Sequence, residues 1–197
     1  MLELIYPVSP APLLRGGKRA RAKEMLPVVD DAGNVRAQAS REFCHGGTKP
    51  LHPVVHLHVI NRKGEIYLQQ RGPHKDLLPL KWDTAVGGHV AYGEYILEAL
   101  FREAAEELHL HDFHPQWLCS YVFESQREKE LVNVFAAVGE YDIQPDRDEV
   151  KDGRFWTPEE IENTLGKGVF TSPMPSAMNT RVPYWMMNVQ HMICAPT

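Results

Sequence analysis

Three glutamates, Glu103, Glu106 and Glu107, crowd one turn beside Arg102 in the stretch "GGHVAYGEYILEALFREAAEEL". On a helical wheel they share one side, within an arc of roughly 100°. A solvated acidic face is the ordinary use of such residues, since glutamate favours helices. Here that use fits poorly. Like charges at i, i+4 weaken a helix, and acid near a helix C-terminus opposes the macrodipole. A hard divalent cation held by carboxylate oxygens supplies the missing compensation. The approach to the helix fits the same chemistry. Gly87-Gly88 lets the backbone come close to a metal or phosphate. Gly93 permits the bend into the helix, and Glu94 suits its positive end.

Histidine is the second unusual resource, with ten in 197 residues. "CHGGTKPLHPVVHLHV" carries His45 and His52, and "GGHV" carries His89. His56 and His58 alternate with Val55 and Leu57, so one face of that strand is rich in histidine. Glu128 and Glu130, in "ESQREKELVNVFAA", share a face if that segment is extended.

The elements that must position these residues are readable from turns and periodicity. "EMLPVVDDAGNVRAQAS" predicts strand, turn, strand, the turn being Asp30 to Asn34. "HPVVHLHVINRKGEIYLQQR" predicts a second hairpin around Asn61-Arg62-Lys63-Gly64. "ELVNVFAAVGEY" predicts a strand and "GRFWT" a short one. The central helix is expected from about Glu94 to Leu108, with Leu97, Phe101, Ala104, Ala105 and Leu108 facing the core. "TPEEIENTLG" predicts a helix with Thr157 as N-cap, Pro158 at the first position and Gly166 past the end. Strands around one central helix, then a second helix, imply an α/β domain with a mixed sheet between helices.

Composition narrows the function classes. Hydrophobic residues are 43% and charged residues 24%, with net charge -5. That is an ordinary soluble composition, and the negative balance argues against a nucleic-acid partner. Cys44, Cys119 and Cys194 are far apart with no CxxC pair, so neither a disulfide framework nor a thiolate zinc site is indicated. No apolar run approaches membrane-spanning length, and prolines break the apolar N-terminus ahead of its basic run, unlike a signal peptide. A cytoplasmic protein with no membrane partner is expected. Residues 1–23 are expected as an N-terminal extension, 24–166 as the domain, and 167–197 as a tail packed on the domain or at a subunit interface. The terminal segments are compatible with a homodimer.

The central stretch resembles the Nudix box: Gly88, five residues, Glu94, seven residues, then Arg102-Glu103-Ala104-x-Glu106-Glu107-x-x-Leu110. The resemblance spans about residues 50 to 165 and departs at His109, where the box usually has glycine. It implies a Nudix α/β/α sandwich with a mixed β-sheet, plus an N-terminal hairpin extension. It implies hydrolysis of a diphosphate linked to another moiety, a small-molecule substrate, with Mg²⁺ or Mn²⁺ as cofactor. Carried over, Glu103, Glu106 and Glu107 are metal ligands, and the carbonyl of Gly87 or Gly88 completes the shell. Arg102 orients Glu103, and Glu94 pairs with Arg102. The base is Glu103, or Glu149 in the loop before Phe155-Trp156. Arg71 and Lys75, in the loop after the second hairpin, are placed to meet substrate phosphates.

A second resemblance is to type I isopentenyl diphosphate isomerase, a Nudix-fold enzyme. It rests on His45-x6-His52, on His89 after the Trp82 to Gly88 stretch, on Glu128-x-Glu130 leading into "VFAA", and on "LQQRGPHKDLLPLKWD". It implies that His45, His52, His89, Glu128 and Glu130 bind a metal; the other reading is hydrogen-bonded strand residues. The isomerase's catalytic cysteine falls at position 87, which here is Gly87. All three box glutamates are present, whereas the isomerase helix usually keeps only the last. This difference favours hydrolysis over an isomerase-like activity, and also over a ligand sensor that has lost its box.

Overall fold

A computed structural model describes residues 24–74, 78–148 and 150–171. The first hairpin is β1 (Met25–Val29) with β2 (Val35–Ser40), antiparallel, as a sheet of its own. Its turn is closed by Asp30, whose Oδ1 accepts the N–H groups of Ala32 and Asn34 at 3.0 and 2.9 Å. A four-residue helix, α1 (Arg41–Cys44), follows at once, with the Ser40 hydroxyl capping Phe43 N–H.

The main sheet has seven strands: β3 (Leu51–Ile60), β4 (Ile66–Arg71), β5 (Trp82–Asp83), β6 (Val86–His89), β7 (Gln116–Glu124), β8 (Lys129–Val138) and β9 (Val150–Trp156). Its order is β5-β4-β3-β8-β7, with β6 paired to β3 and β9 to β4. The turn Asn61 to Glu65 is held by the Asn61 side chain, whose Oδ1 accepts from Lys63 and Glu65. β4 pairs antiparallel with β3, β5 and β9. Gly153 faces Gln69 across the β4–β9 ladder, and a Cβ there would clash with the Tyr67 hydroxyl, so the Tyr67 ring must shift to admit any larger residue.

The central helix, α2 (Ile96–Leu108), begins two residues later than the sequence predicts. Gly93 takes φ 91, as the bend requires. The core-facing stripe is corrected. Leu97 is 49% exposed and Phe101 39%, whereas Ile96, Ala99, Leu100, Ala104 and Leu108 are buried. The helix is turned by about one residue, roughly 100°, from the expected wheel. Glu107 thereby joins the buried face, at 6% exposure. His109 ends the helix in the left-handed region, φ 51, the conformation a glycine would take more readily. Its ring bonds the Gln144 carbonyl at 2.8 Å.

The last helix, α3 (Pro158–Thr164), has Thr157 as N-cap in a capping box with Glu160 and Pro158 in its first turn, as predicted. Helix α1 and strands β5, β6 and β7 had no sequence prediction. The chain divides into two compact units. One takes in the described residues up to Val55, with Gly88–Arg102 and Ser120–Asn133. Val29, Leu51 and Leu131 pack together there. The other takes in His56–Gly87, Glu103–Cys119 and the described residues from Val134. It is centred on Ile60, Ile66, Leu68, Ala136, Trp156, Ile161 and Phe170.

Candidate functional site

In the first unit the chain gathers the three predicted histidines. α1 delivers His45, the start of β3 delivers His52, and the end of β6 delivers His89. One ligand atom from each lies within 4.8 Å of the others, the only such group of three metal-type ligands among the described residues. The Nε2 atoms of His45 and His89 are 3.0 Å apart. Glu128 stands 3.4 Å from His45 Nδ1, and Glu130 4.0 Å from His89 Nε2. The five residues named from the isomerase resemblance therefore converge.

The arrangement is held from outside. Arg102 Nη2 donates both to the His89 carbonyl and to Glu94 Oε2, each at 2.9 Å, while its Nε donates to Glu94 Oε1 at 2.7 Å. The Glu94–Arg102 pairing expected from the box is present. Lys49 reaches Glu124 and the Ser125 carbonyl, anchoring the loop after His45 to the turn before Glu128. His52 Nδ1 lies 2.9 Å from the Pro50 carbonyl. That contact requires the proton on Nδ1 and leaves a lone pair on Nε2. His52 Nε2 is buried with no hydrogen-bond partner.

Electrostatics agree. Burial first, then Arg41, His52 and Arg127, lowers His45 to about 4. Burial and Arg41 lower His52, and burial holds His89 well below its ordinary range. Three neutral imidazoles facing one another, one with an orphaned lone pair, fit a cation. Cys44 beside them is fully buried, and burial raises its thiol, so it offers no reactive thiolate.

In the second unit, Glu107 is the best-placed box carboxylate. Its Oε2 accepts from Gln69 Nε2 at 2.8 Å and from Gly87 N–H at 3.3 Å. Glu103 is half-buried and Glu106 exposed. These three carboxylates are not drawn together as the histidines are. His56 stands beside Gly87, where a Cβ would lie 3.5 Å from its ring, an ordinary contact. The position has room for a side chain, so its glycine is not imposed by crowding.

Asp83 organises the neighbouring polar group. It pairs with Arg71 at 3.0 Å, accepts from Thr84 N–H at 2.9 Å and from the Thr171 hydroxyl at 3.0 Å. Thr84 in turn donates to the Leu57 carbonyl and meets His58 Nδ1 at 3.3 Å. Burial, then His56, lowers His58 to about 3. Lys75 and Glu149, expected at the phosphates and as base, lie outside the described residues. Gln69 and Asp83 enter the sequence reading only within the "LQQRGPHKDLLPLKWD" stretch, with no role given to either, and Thr84 does not enter it. A glutamine in mid-strand, in "IYLQQR", was the one available signal.

Comparison with known proteins settles the lineage. The family model described as NUDIX domain matches residues 50–172. The chain belongs to the Nudix family. It is a hydrolase acting on phosphoric anhydrides. It is 31% identical over 144 residues to the uncharacterized Nudix hydrolase YfcD of Escherichia coli K12, covering 73% of this chain and 79% of that one. It is 29% identical over 144 residues to an isopentenyl-diphosphate Delta-isomerase of Mycolicibacterium vanbaalenii, covering 68% and 77%. Among solved structures, DR0079 from Deinococcus radiodurans shares the fold at TM-score 0.69 and 24% identity, over 82% of this chain and 99% of that one. The mixed sheet with its helices is the α/β Nudix fold. Among the described residues, no helix is long and apolar enough to cross a membrane.

Proposed function

We propose that this Nudix protein is a divalent-metal-dependent pyrophosphohydrolase cleaving a small-molecule diphosphate linked to another moiety. The observation that carries the reading is Glu107, a box carboxylate only 6% exposed and oriented by two donors. A buried carboxylate is costly without strong partners, and a cation beside it explains its retention. Glu103, Glu106 and Glu107, with the Gly87 or Gly88 carbonyl, would hold Mg²⁺ or Mn²⁺. The ion would offset phosphate charge and lower the pKa of a bound water. Glu103 or Glu149 takes the proton from the attacking water. Arg71, held by Asp83, and Lys75 meet the phosphates. Arg102 and Glu94 act as structure, since the guanidinium bonds Glu94 and the His89 backbone.

The histidine group, His45, His52, His89, Glu128 and Glu130, is proposed as a second metal site. Imidazole donors suit a transition metal such as Zn²⁺, whereas carboxylates and carbonyls suit Mg²⁺ or Mn²⁺. This group and the isomerase relative favour a second reading, allylic isomerisation of a diphosphate. Gly87 opposes it, because no thiol stands at that position.

Phosphorus and proton NMR of the purified protein with Mg²⁺ separates the two. Nucleoside diphosphate derivatives and isopentenyl diphosphate are supplied in separate samples. New monophosphate or phosphate signals that vanish with chelator support hydrolysis. An intact diphosphate with a migrated double bond would replace it by isomerisation.

A further inference from the structure

Gln69 is 6% exposed and stands in the middle of β4, where an amide needs partners on both ends. Its Nε2 has one, Glu107 Oε2 at 2.8 Å. A carboxylate only accepts, so this contact fixes the amide with nitrogen toward Glu107. The Gly87 N–H falls on the same oxygen at 3.3 Å. Two donors on one oxygen fix the plane of the carboxylate. The other end of the amide, Gln69 Oε1, is buried with no hydrogen-bond partner. A buried acceptor of this kind calls for a donor that the described protein groups do not supply. Water fits, and a water on a bound cation donates strongly.

We propose that Gln69 is a positioning residue of the carboxylate site: its carboxamide holds Glu107 through Nε2 and receives a hydrogen bond from a cation-bound water at Oε1. The inference rests on the reading of Glu107 as a metal ligand. Gln69 then sets how Glu107 meets the ion and ties that ion's water to a rigid strand. Residues that orient metal ligands in this way typically change metal affinity by about 10–100-fold when lost.

The test is Mn²⁺ titration of the metal-free full-length protein, followed by loss of the free-ion EPR signal. Wild type binds Mn²⁺ at a site that Glu107→Gln removes; no such Glu107-dependent binding would end the underlying reading and this inference with it. Gln69→Met, of similar length without the amide, raises the Kd of that site about 10–100-fold while the melting temperature of the metal-free protein stays close to wild type. An unchanged Kd in Gln69→Met, with Glu107→Gln still abolishing binding, overturns the role of Gln69 alone. If Gln69→Met does not fold, the Gln69 side-chain amide signals of the wild type decide. They shift on Mg²⁺ addition, and not in Glu107→Gln; a static pair overturns the proposal.

Discussion

The histidine group and the box glutamates, both proposed here to hold a cation, are arranged in opposite ways. The histidines are gathered in advance. Burial keeps them neutral, so three rings can lie with centroids 4.9 to 5.5 Å apart, two pairs stacked and one tilted, without charge repulsion. The glutamates carry charge and cannot gather without an ion. Glu107 is buried, with its Oε2 accepting from Gln69 and from the Gly87 N–H, while Glu106 is exposed. Preassembly favours tight, static binding, whereas carboxylates not gathered in advance favour an ion that exchanges ligands during turnover, which is what the proposed hydrolysis requires.

The largest test of this contrast is metal affinity. His52→Ala should weaken Zn²⁺ binding at the histidine group by about 10³-fold, since each ligand of a structural zinc site accounts for several kcal/mol. Glu107→Gln should leave that affinity unchanged in the same calorimetric titration. Equal losses in both variants would mean that the two regions are one site.

Acid should separate the regions next. His45 is lowered from 6.5 to about 4. A histidine depressed in the folded state binds its proton in the unfolded chain first. Its contribution is therefore intact above pH 6.5 and is lost as pH falls toward 4. At about 1.4 kcal/mol per unit the loss is on the order of 3 kcal/mol for His45. Urea melts of chelator-treated protein should show it, and His45→Asn should flatten the slope. A stability independent of pH across that window would mean that the histidines are not buried neutral.

The support beneath Gln69 gives a smaller effect. Gly153→Ala would place a methyl against the Tyr67 hydroxyl and should cost about 1–3 kcal/mol. Thermal melting checks this, and the loss should fall on hydrolysis while sparing Zn²⁺ binding. The smallest effect is at the end of α2. His109→Gly removes left-handed strain but also the bond to Gln144, so stability should move by less than about 1 kcal/mol.

Much of this was readable in the chain, for local reasons. Asp30 to Asn34 and Asn61 to Gly64 carry their own turn chemistry, and Thr157-Pro158 with Glu160 carries its own cap. The facing of α2 was not, because Leu97 and Phe101 repeat as well as the residues that are buried. Helix α1 and strand β6 have four residues each, too few for a period to show. The histidine group was legible through the isomerase resemblance, but the neutral state of its rings comes from burial and from Arg41. Gln69 was hidden for the same reason. Its partner Glu107 is 38 residues away, and no local pattern links a strand amide to a helix carboxylate.

The most direct test is turnover by Glu107→Gln and His52→Ala, assayed side by side with Mg²⁺ on the diphosphate that wild type hydrolyses. The account predicts a fall of about 10³-fold for Glu107→Gln, since metal stabilisation of the transition state amounts to several kcal/mol. His52→Ala should keep activity within about threefold of wild type, under 1 kcal/mol of barrier. Near-normal turnover in Glu107→Gln, with collapse in a stably folded His52→Ala, would contradict it and make the histidine group the working centre.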